Sequence, residues 1–188
     1  MHDVVLARHG ESVTASHRIV GGDARLTGAG RTQARRLGRE LAELPFDICI
    51  TSGARRARET ATLALTGRSV PREVDDAFGD IDFGGFAGRS LDEYRDWIEA
   101  HPPTTAPPGG ESRVATLRRF VRAYRSLLAR AEPHVLVVAH GLTLSALADE
   151  RPTPTVAGVA YGSWIRLAAA ELETRLARLE GWCEAPSW

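Results

Sequence analysis

Two histidines stand where two apolar runs end. Val4-Val5-Leu6-Ala7 leads into Arg8-His9-Gly10-Glu11, and Val135-Leu136-Val137-Val138-Ala139 leads into His140-Gly141. Open α/β sheets collect their ligand chemistry at the carboxyl edge of the strands, so two buried strands that each deliver His-Gly predict one shared site. Two further groups join it by the same logic: Thr51-Ser52, leading into Arg55 and Arg56, and Asp80 in a later loop. Arg8 and Arg56 supply two guanidinium forks, which suit a dianionic phosphoryl group bound through paired hydrogen bonds. His140, if protonated, adds a third positive donor.

Positive neighbours disfavour an imidazolium, which predicts a neutral, nucleophilic His9 near pH 7. Its Nδ1–H then needs a fixed acceptor such as a backbone carbonyl, leaving Nε2 to attack phosphorus. Transfer to imidazole requires an acid for the leaving alkoxide and afterwards a base for water. One carboxyl group performs both in turn. Charge on the equatorial oxygens falls to the arginine pair. The glycine after each histidine is expected to let backbone and substrate approach closely. Asp75, Asp76 and Asp82 are rival acids that read as solvated loop charges, as Arg55 and Arg58 read as a solvated helix face. Glu111 reads either as a charge complementing a helix N-terminus or as a site residue.

These residues need elements to carry them. Segment 12–25 is polar and reads as loop. Thr27 is the N-cap candidate for a helix whose inner face is Ala34, Leu37, Leu41 and Leu44, stopped by Pro45. A short strand over 47–51 and a helix over 54–65 follow. Segment 70–75 reads as a strand that tolerates Pro71 only near an edge. Segment 79–88 is loop, 91–100 helix, and the Pro/Gly-rich 102–110 a linker. Ser112 caps a long helix with a stripe of Val114, Leu117, Val121, Tyr124 and Leu128. Strand 135–139 precedes a short helix from Leu142, and 163–168 and about 172–179 read as final strands. Alternating strands and helices predict an α/β three-layer sandwich with a mainly parallel central sheet. The expected organisation is a single domain over 1–188 with a small helical cap inserted at about 78–110.

Composition excludes several alternatives. The 24 basic and 24 acidic residues cancel, and every basic one is arginine. Schiff-base and P-loop lysine chemistry is therefore absent, and no global field favours nucleic acid or a membrane. Cys49 and Cys183 lie far apart outside any motif and read as reduced thiols. The N-terminal apolar run is too short for a signal peptide, and no stretch approaches the roughly 18 apolar residues of a membrane span. A cytoplasmic location is expected. Neither His-Glu-x-x-His nor Gly-x-Ser-x-Gly occurs, and Gln33 stands where a dinucleotide-binding loop starting at Gly28 would need its third glycine. No metal and no cofactor are expected.

Six segments in order resemble the histidine phosphatase superfamily, the phosphoglycerate-mutase-like proteins, from residue 4 to about 165. They are Arg8-His9-Gly10-Glu11-Ser12, Leu26-Thr27-x-x-Gly30-x-x-Gln33-Ala34, Ser52-x-x-x-Arg56-Ala57-x-x-Thr60-Ala61, Asp80-Ile81-Asp82-Phe83-Gly84 closing at Gly88, Gly109-Gly110-Glu111-Ser112, and Val138-Ala139-His140-Gly141. The resemblance implies that His9 is the phosphorylated nucleophile, that Arg8, Arg56 and His140 hold the phosphate, and that Asp80 takes the proton-donor position. Two departures stand out. That donor is usually glutamate, one methylene longer. The family's frequent phosphate-binding asparagine is replaced by Thr14-Ala15-Ser16, so either Ser12 or Ser16 substitutes or the contact is absent. Gly141 joins the phosphate-binding set.

The expected function is metal-independent hydrolysis of a small phosphomonoester through a phosphohistidine. The alternatives are a phosphoglycerate-type mutase and a non-catalytic phospho-ligand binder. A mutase must keep water out, which usually takes longer cap and tail segments than 80–110 provides here. Specificity is assigned to Phe78, Phe83, Phe86, Trp97 and the 102–110 linker. Either a monomer or a homodimer is expected.

Overall fold

β1 (Asp3–Arg8) sorts the core into two layers: Val4 and Leu6 pack into one apolar cluster, Val5 and Ala7 into another. Period-two alternation in a strand covered on both faces does this. The computed structural model describes residues 1–148, 152–154 and 159–188. After β1 come a one-turn helix α1 (Val13–Ser16), α2 (Gly28–Glu40), β2 (Ile48–Thr51), α3 (Arg55–Ala64) and β3 (Arg72–Val74). Then follow α4 (Leu91–Glu99), α5 (Arg113–Leu128), β4 (His134–Ala139), α6 (Gly141–Ala148), β5 (Trp164–Ala168) and α7 (Ala169–Glu184). Strand order is β3-β2-β4-β1-β5. Only β5 runs antiparallel, against β1.

On one face α2 and α3 bury Leu37, Leu41, Ala57 and Ala61 against Val5, Ala7, Cys49 and Val138. On the other, α5, α6 and α7 bury Leu117, Phe120, Leu144, Leu172 and Leu176 against Leu6, Ile50 and Val137. This is the three-layer α/β arrangement. Caps fall where side-chain chemistry places them: Thr27 Oγ1 accepts from Gly30 N at 2.9 Å, and Ser112 Oγ from Ala115 N at 3.1 Å. In α4, Ser90 and Glu93 form a reciprocal capping box.

Three sequence expectations need correction. Segment 172–179 is helix, not strand: Leu172, Leu176, Leu179 and Cys183 are all buried at a 3.6-residue period. A one-turn helix interrupts the loop expected over 12–25. In α5 the buried stripe includes Phe120 and Leu127, while Val121 and Leu128 are only partly covered. β3 is an edge strand that begins just after Pro71, whose carbonyl still accepts from Cys49 N at 2.9 Å.

Between β3 and α5 the chain leaves the sheet. Val20, Phe86, Tyr94 and Ile98 make a third, smaller apolar cluster, joined by Phe83, Leu91, Trp97 and Trp188. Among the described residues no helix is long and apolar enough to cross a membrane.

Candidate active site

Register brings the two histidines together. Arg8 is paired with Ala139 across the parallel β1–β4 ladder, so His9 and His140 leave adjacent strands side by side. Their rings meet edge to face at 5.1 Å. β2, next to β4, ends at Thr51, and Ser52 Oγ lies 2.9 Å from His140 Nε2. Helix α3 follows at once and delivers Arg56 from its first turn.

Each nitrogen of His9 has a defined partner. Nδ1 lies 2.7 Å from the carbonyl oxygen of Gly10, which fixes the proton on Nδ1 because a carbonyl only accepts. Nε2 therefore carries the lone pair, and Arg56 Nε donates to it at 3.2 Å. Burial first, and then His140 and Arg56 beside it, each disfavouring a second positive charge, hold His9 well below the ordinary histidine range. The sequence argument identified the charges, whereas desolvation is the larger cause.

His140 is held low in the same way, by burial and then by Arg56, Arg8 and Arg119. Arg56 Nη2 is 3.3 Å from its Nδ1, so that nitrogen accepts and Nε2–H donates to Ser52. A protonated His140 is not the resting form. Arg56 also donates to Gly22 O at 2.9 Å and to Asp80 Oδ2 at 3.3 Å. Asp80 Oδ2 is 3.5 Å from His140 Nδ1, which puts the carboxyl group at the centre of the cluster. Arg8 packs over the Tyr161 ring at 3.8 Å and donates to Val159 O.

Two braces around this cluster carry no chemistry themselves. One is the start of α2. Gln33 Oε1 accepts from Glu11 N at 2.8 Å, and Thr27 Oγ1 donates to Glu11 Oε1 at 2.8 Å. A Cβ on Gly10 would sit 2.4 Å from Gly30 O, and one on Gly30 2.1 Å from Glu11 O. Gly10 therefore makes room for the α2 backbone, which is the close backbone approach expected of it. Thr60 Oγ1 accepts from Gly10 N at 3.0 Å and donates to Arg56 O at 2.7 Å, tying the histidine loop to the arginine helix.

The other brace is Arg119, which the sequence reading did not single out. It donates to the carbonyls of Ala77, Gly79 and Asp80 at 2.9–3.0 Å and pairs with Glu111 at 2.6 Å. Glu111 also accepts from Asp82 N at 3.2 Å, so Glu111 and Arg119 together hold the loop that presents Asp80. Of the rival acids, Asp75 caps a short turn through Ala77 N and Asp82 accepts from Gly84 N.

A cavity of about 420 Å³ opens over the cluster. Ser12 and Gly141 line it together with Arg8, His9, Arg56 and Asp80. Ser16 is exposed and turned onto Val13 O, so of the two serines only Ser12 reaches the cavity. Phe83 lines the cavity, whereas Phe78 is buried in the core against Tyr124. Phe86 and Trp97 lie behind Tyr94, in the small third cluster. Tyr94, Tyr161 and Arg113 line the cavity without belonging to any segment that pointed to chemistry.

A strand-end pair of histidines, an interleaved arginine and a facing carboxyl group on a mostly parallel sheet define a phosphoryl-transfer class of protein. The sequence profile of the histidine phosphatase superfamily (branch 1) matches residues 4–152, and the chain belongs to that superfamily. It is 35% identical over 178 residues to a 2,3-bisphosphoglycerate-dependent phosphoglycerate mutase of Methylobacterium sp. (strain 4-46), covering 83% of this chain and 85% of that protein. A mutase of the same name from Nitrobacter hamburgensis is 37% identical over 166 residues, covering 77% and 78%. Among solved structures, Bacillus stearothermophilus YhfR superposes with a TM-score of 0.75 at 29% identity, covering 87% of this chain and 89% of that one. Mycobacterial glucosyl-3-phosphoglycerate phosphatase superposes with a TM-score of 0.72 at 26% identity, covering 89% and 90%.

Proposed function

We propose that the protein is a phosphomonoesterase that acts on a small phosphorylated metabolite through a phosphohistidine at His9. In the first step His9 Nε2 forms a bond to phosphorus as the ester P–O bond breaks, and the Asp80 carboxyl passes its proton to the leaving oxygen. In the second, Asp80 takes a proton from water as the water oxygen bonds to phosphorus, and the N–P bond breaks to release phosphate. Arg8, Arg56, Ser12 and the amide end of α6 at Gly141 stabilise charge on the transferring oxygens. His140, neutral at rest, accepts from Arg56 on Nδ1 and faces Ser52 with Nε2, and so helps orient the guanidinium that binds the same group.

The observation that favours hydrolysis over isomerisation is the position of Asp80 between two cavities. Besides the main cavity it lines a second, of about 380 Å³, walled by Gly21, Gly22, Gly53 and Ala54. The Asp80 side chain keeps 28% of its exposure. Water thus has a path to the carboxylate that would activate it, which a mutase must close. Length no longer separates the two readings, since the named mutases are matched over most of their own length. Those relatives support the mutase as the second reading.

Incubation with an aryl phosphate, and separately with 3-phosphoglycerate, tests both. Free phosphate from each, with an acid-labile phosphoryl group trapped on His9, supports hydrolysis, and EDTA leaves the rate unchanged. Interconversion of phosphoglycerate isomers without net phosphate release would replace this reading with the mutase. Binding of vanadate without turnover of any ester would leave a phospho-ligand binder.

A further inference from the structure

The turn before β5 closes around Arg8 and His9. Gly162 N donates to the carbonyls of both, at 3.2 and 3.3 Å, and Arg8 N donates to Ser163 O at 2.9 Å. The same turn engages the Arg8 side chain. Val159 O accepts from Nη1, and the Tyr161 ring lies 3.8 Å from the guanidinium carbon. None of residues 159–163 belongs to the six segments that resemble the superfamily.

These two contacts restrain the guanidinium in different ways. A guanidinium carbon 3.8 Å from the ring centre belongs to a group lying flat on the ring, since an N–H aimed at the ring would hold the carbon about a bond length farther away. The ring therefore sets the plane of the group, and the Val159 carbonyl anchors one edge of it. The edge formed by Nε and Nη2 is left over. Nε is buried and has no hydrogen-bond partner among the described residues. Buried donors are almost always satisfied, so this edge is the one turned to an acceptor that a ligand brings. Two N–H groups match two phosphoryl oxygens only when the fork and the oxygens share a plane. The same ring stands 5.8 Å from that of His9, tilted by 41°, and lines the main cavity. Tyr161 thus walls the nucleophile and the fork together.

We infer that Tyr161 is a positioning residue for phosphoryl binding, whose ring face holds the Arg8 guanidinium in the plane that the phosphoryl oxygens need. The inference rests on the phosphomonoesterase reading for the part Arg8 plays in turnover, but on the geometry of the turn for the dependence of Arg8 on the ring.

Orthovanadate, a stand-in for the transferring phosphoryl group, reads the effect without turnover. Tyr161→Leu should weaken vanadate binding by more than about threefold and up to about thirtyfold, the range of a cation held on an aromatic face, and lower kcat/KM for an aryl phosphate in parallel. Tyr161→Phe keeps the ring and should stay within about threefold of the unsubstituted protein. Tyr161→pentafluorophenylalanine, made by unnatural-residue incorporation, keeps the shape of phenylalanine but reverses the charge on the ring face. It should bind vanadate more than about threefold worse than Tyr161→Phe, a difference that packing alone would not produce.

Vanadate bound by Tyr161→Leu within that margin, a loss in Tyr161→Phe as large as in Tyr161→Leu, or equal binding by the two phenylalanine variants overturns the inference. So does a protein that binds no vanadate. If Tyr161→Leu does not fold, the two phenylalanine variants decide. If no ester is hydrolysed, the phosphatase reading has failed and the vanadate comparison still judges Tyr161. Hydrolysis with vanadate binding indifferent to the ring rejects Tyr161 and leaves the phosphatase standing.

Discussion

Two neighbours and burial set the state of His9. The Gly10 carbonyl fixes its proton on Nδ1, Arg56 faces its lone pair, and burial keeps the ring neutral. The sign of the pH effect follows. A histidine held low stays unprotonated as pH falls through the usual value of about 6.5, so kcat/KM should not drop in that range on account of the nucleophile. A pH–rate profile with an acid limb centred near 6.5 that disappears in His140→Gln would instead assign the limb to His140. For Asp80, removing the proton-carrying group should slow turnover about 10²–10⁴-fold in Asp80→Asn. The loss should steepen as the leaving alcohol becomes less acidic, read as the slope of log kcat against alcohol pKa. A flat slope would mean that another group supplies the proton. His9→Ala should show no covalent labelling at all.

Elements matter here through contacts between backbones. The start of α2 touches the histidine loop so closely that neither Gly10 nor Gly30 has room for a methyl group. Gly30→Ala, although it raises helix propensity, should destabilise the fold by about 1–3 kcal/mol through overpacking and lower kcat by displacing His9. Denaturant unfolding and turnover measured on one preparation check this, and a stabilised, fully active variant would show that the loop can yield. The loop of Asp80 depends on a side chain in another way. Arg119 holds three of its carbonyls, so Arg119→Met should cost roughly tenfold or more in kcat with little change in KM. The deficit should be largest for poor leaving groups, the signature of a misplaced acid. An equal loss for all esters would indicate general loosening instead.

For the whole molecule, the buried site links activity to stability. His9 and His140 are held well below their ordinary value in the fold, while the unfolded chain titrates near 6.5. Below that pH the unfolded state takes up protons that the native state refuses. Stability is therefore complete well above the unfolded value of about 6.5 and falls as pH decreases through it toward the folded values, with both histidines contributing to the slope. Urea unfolding at several pH values between 5 and 7.5 should show this slope, roughly halved in His140→Gln. An unchanged slope in the variant would place the titration elsewhere.

By itself the sequence determined the five strands of the sheet and the residues that gather at its carboxyl edge. Apolar runs ending in Arg8-His9 and in His140 are local signals, as are the Thr27 and Ser112 caps, and each survives folding unchanged because its cause lies within a few residues. It misjudged 172–179 because short apolar runs do not separate period two from period 3.6 until a partner surface exists; Leu172, Leu176 and Leu179 align only against the sheet. The role of Arg119 was illegible for the same kind of reason. An arginine looks solvated until the chain buries it, and what this one then binds is a carbonyl forty residues away. Tertiary structure decided which charges were neutralised and which were left facing the substrate, because desolvation and pairing depend on distance in space and not on distance along the chain.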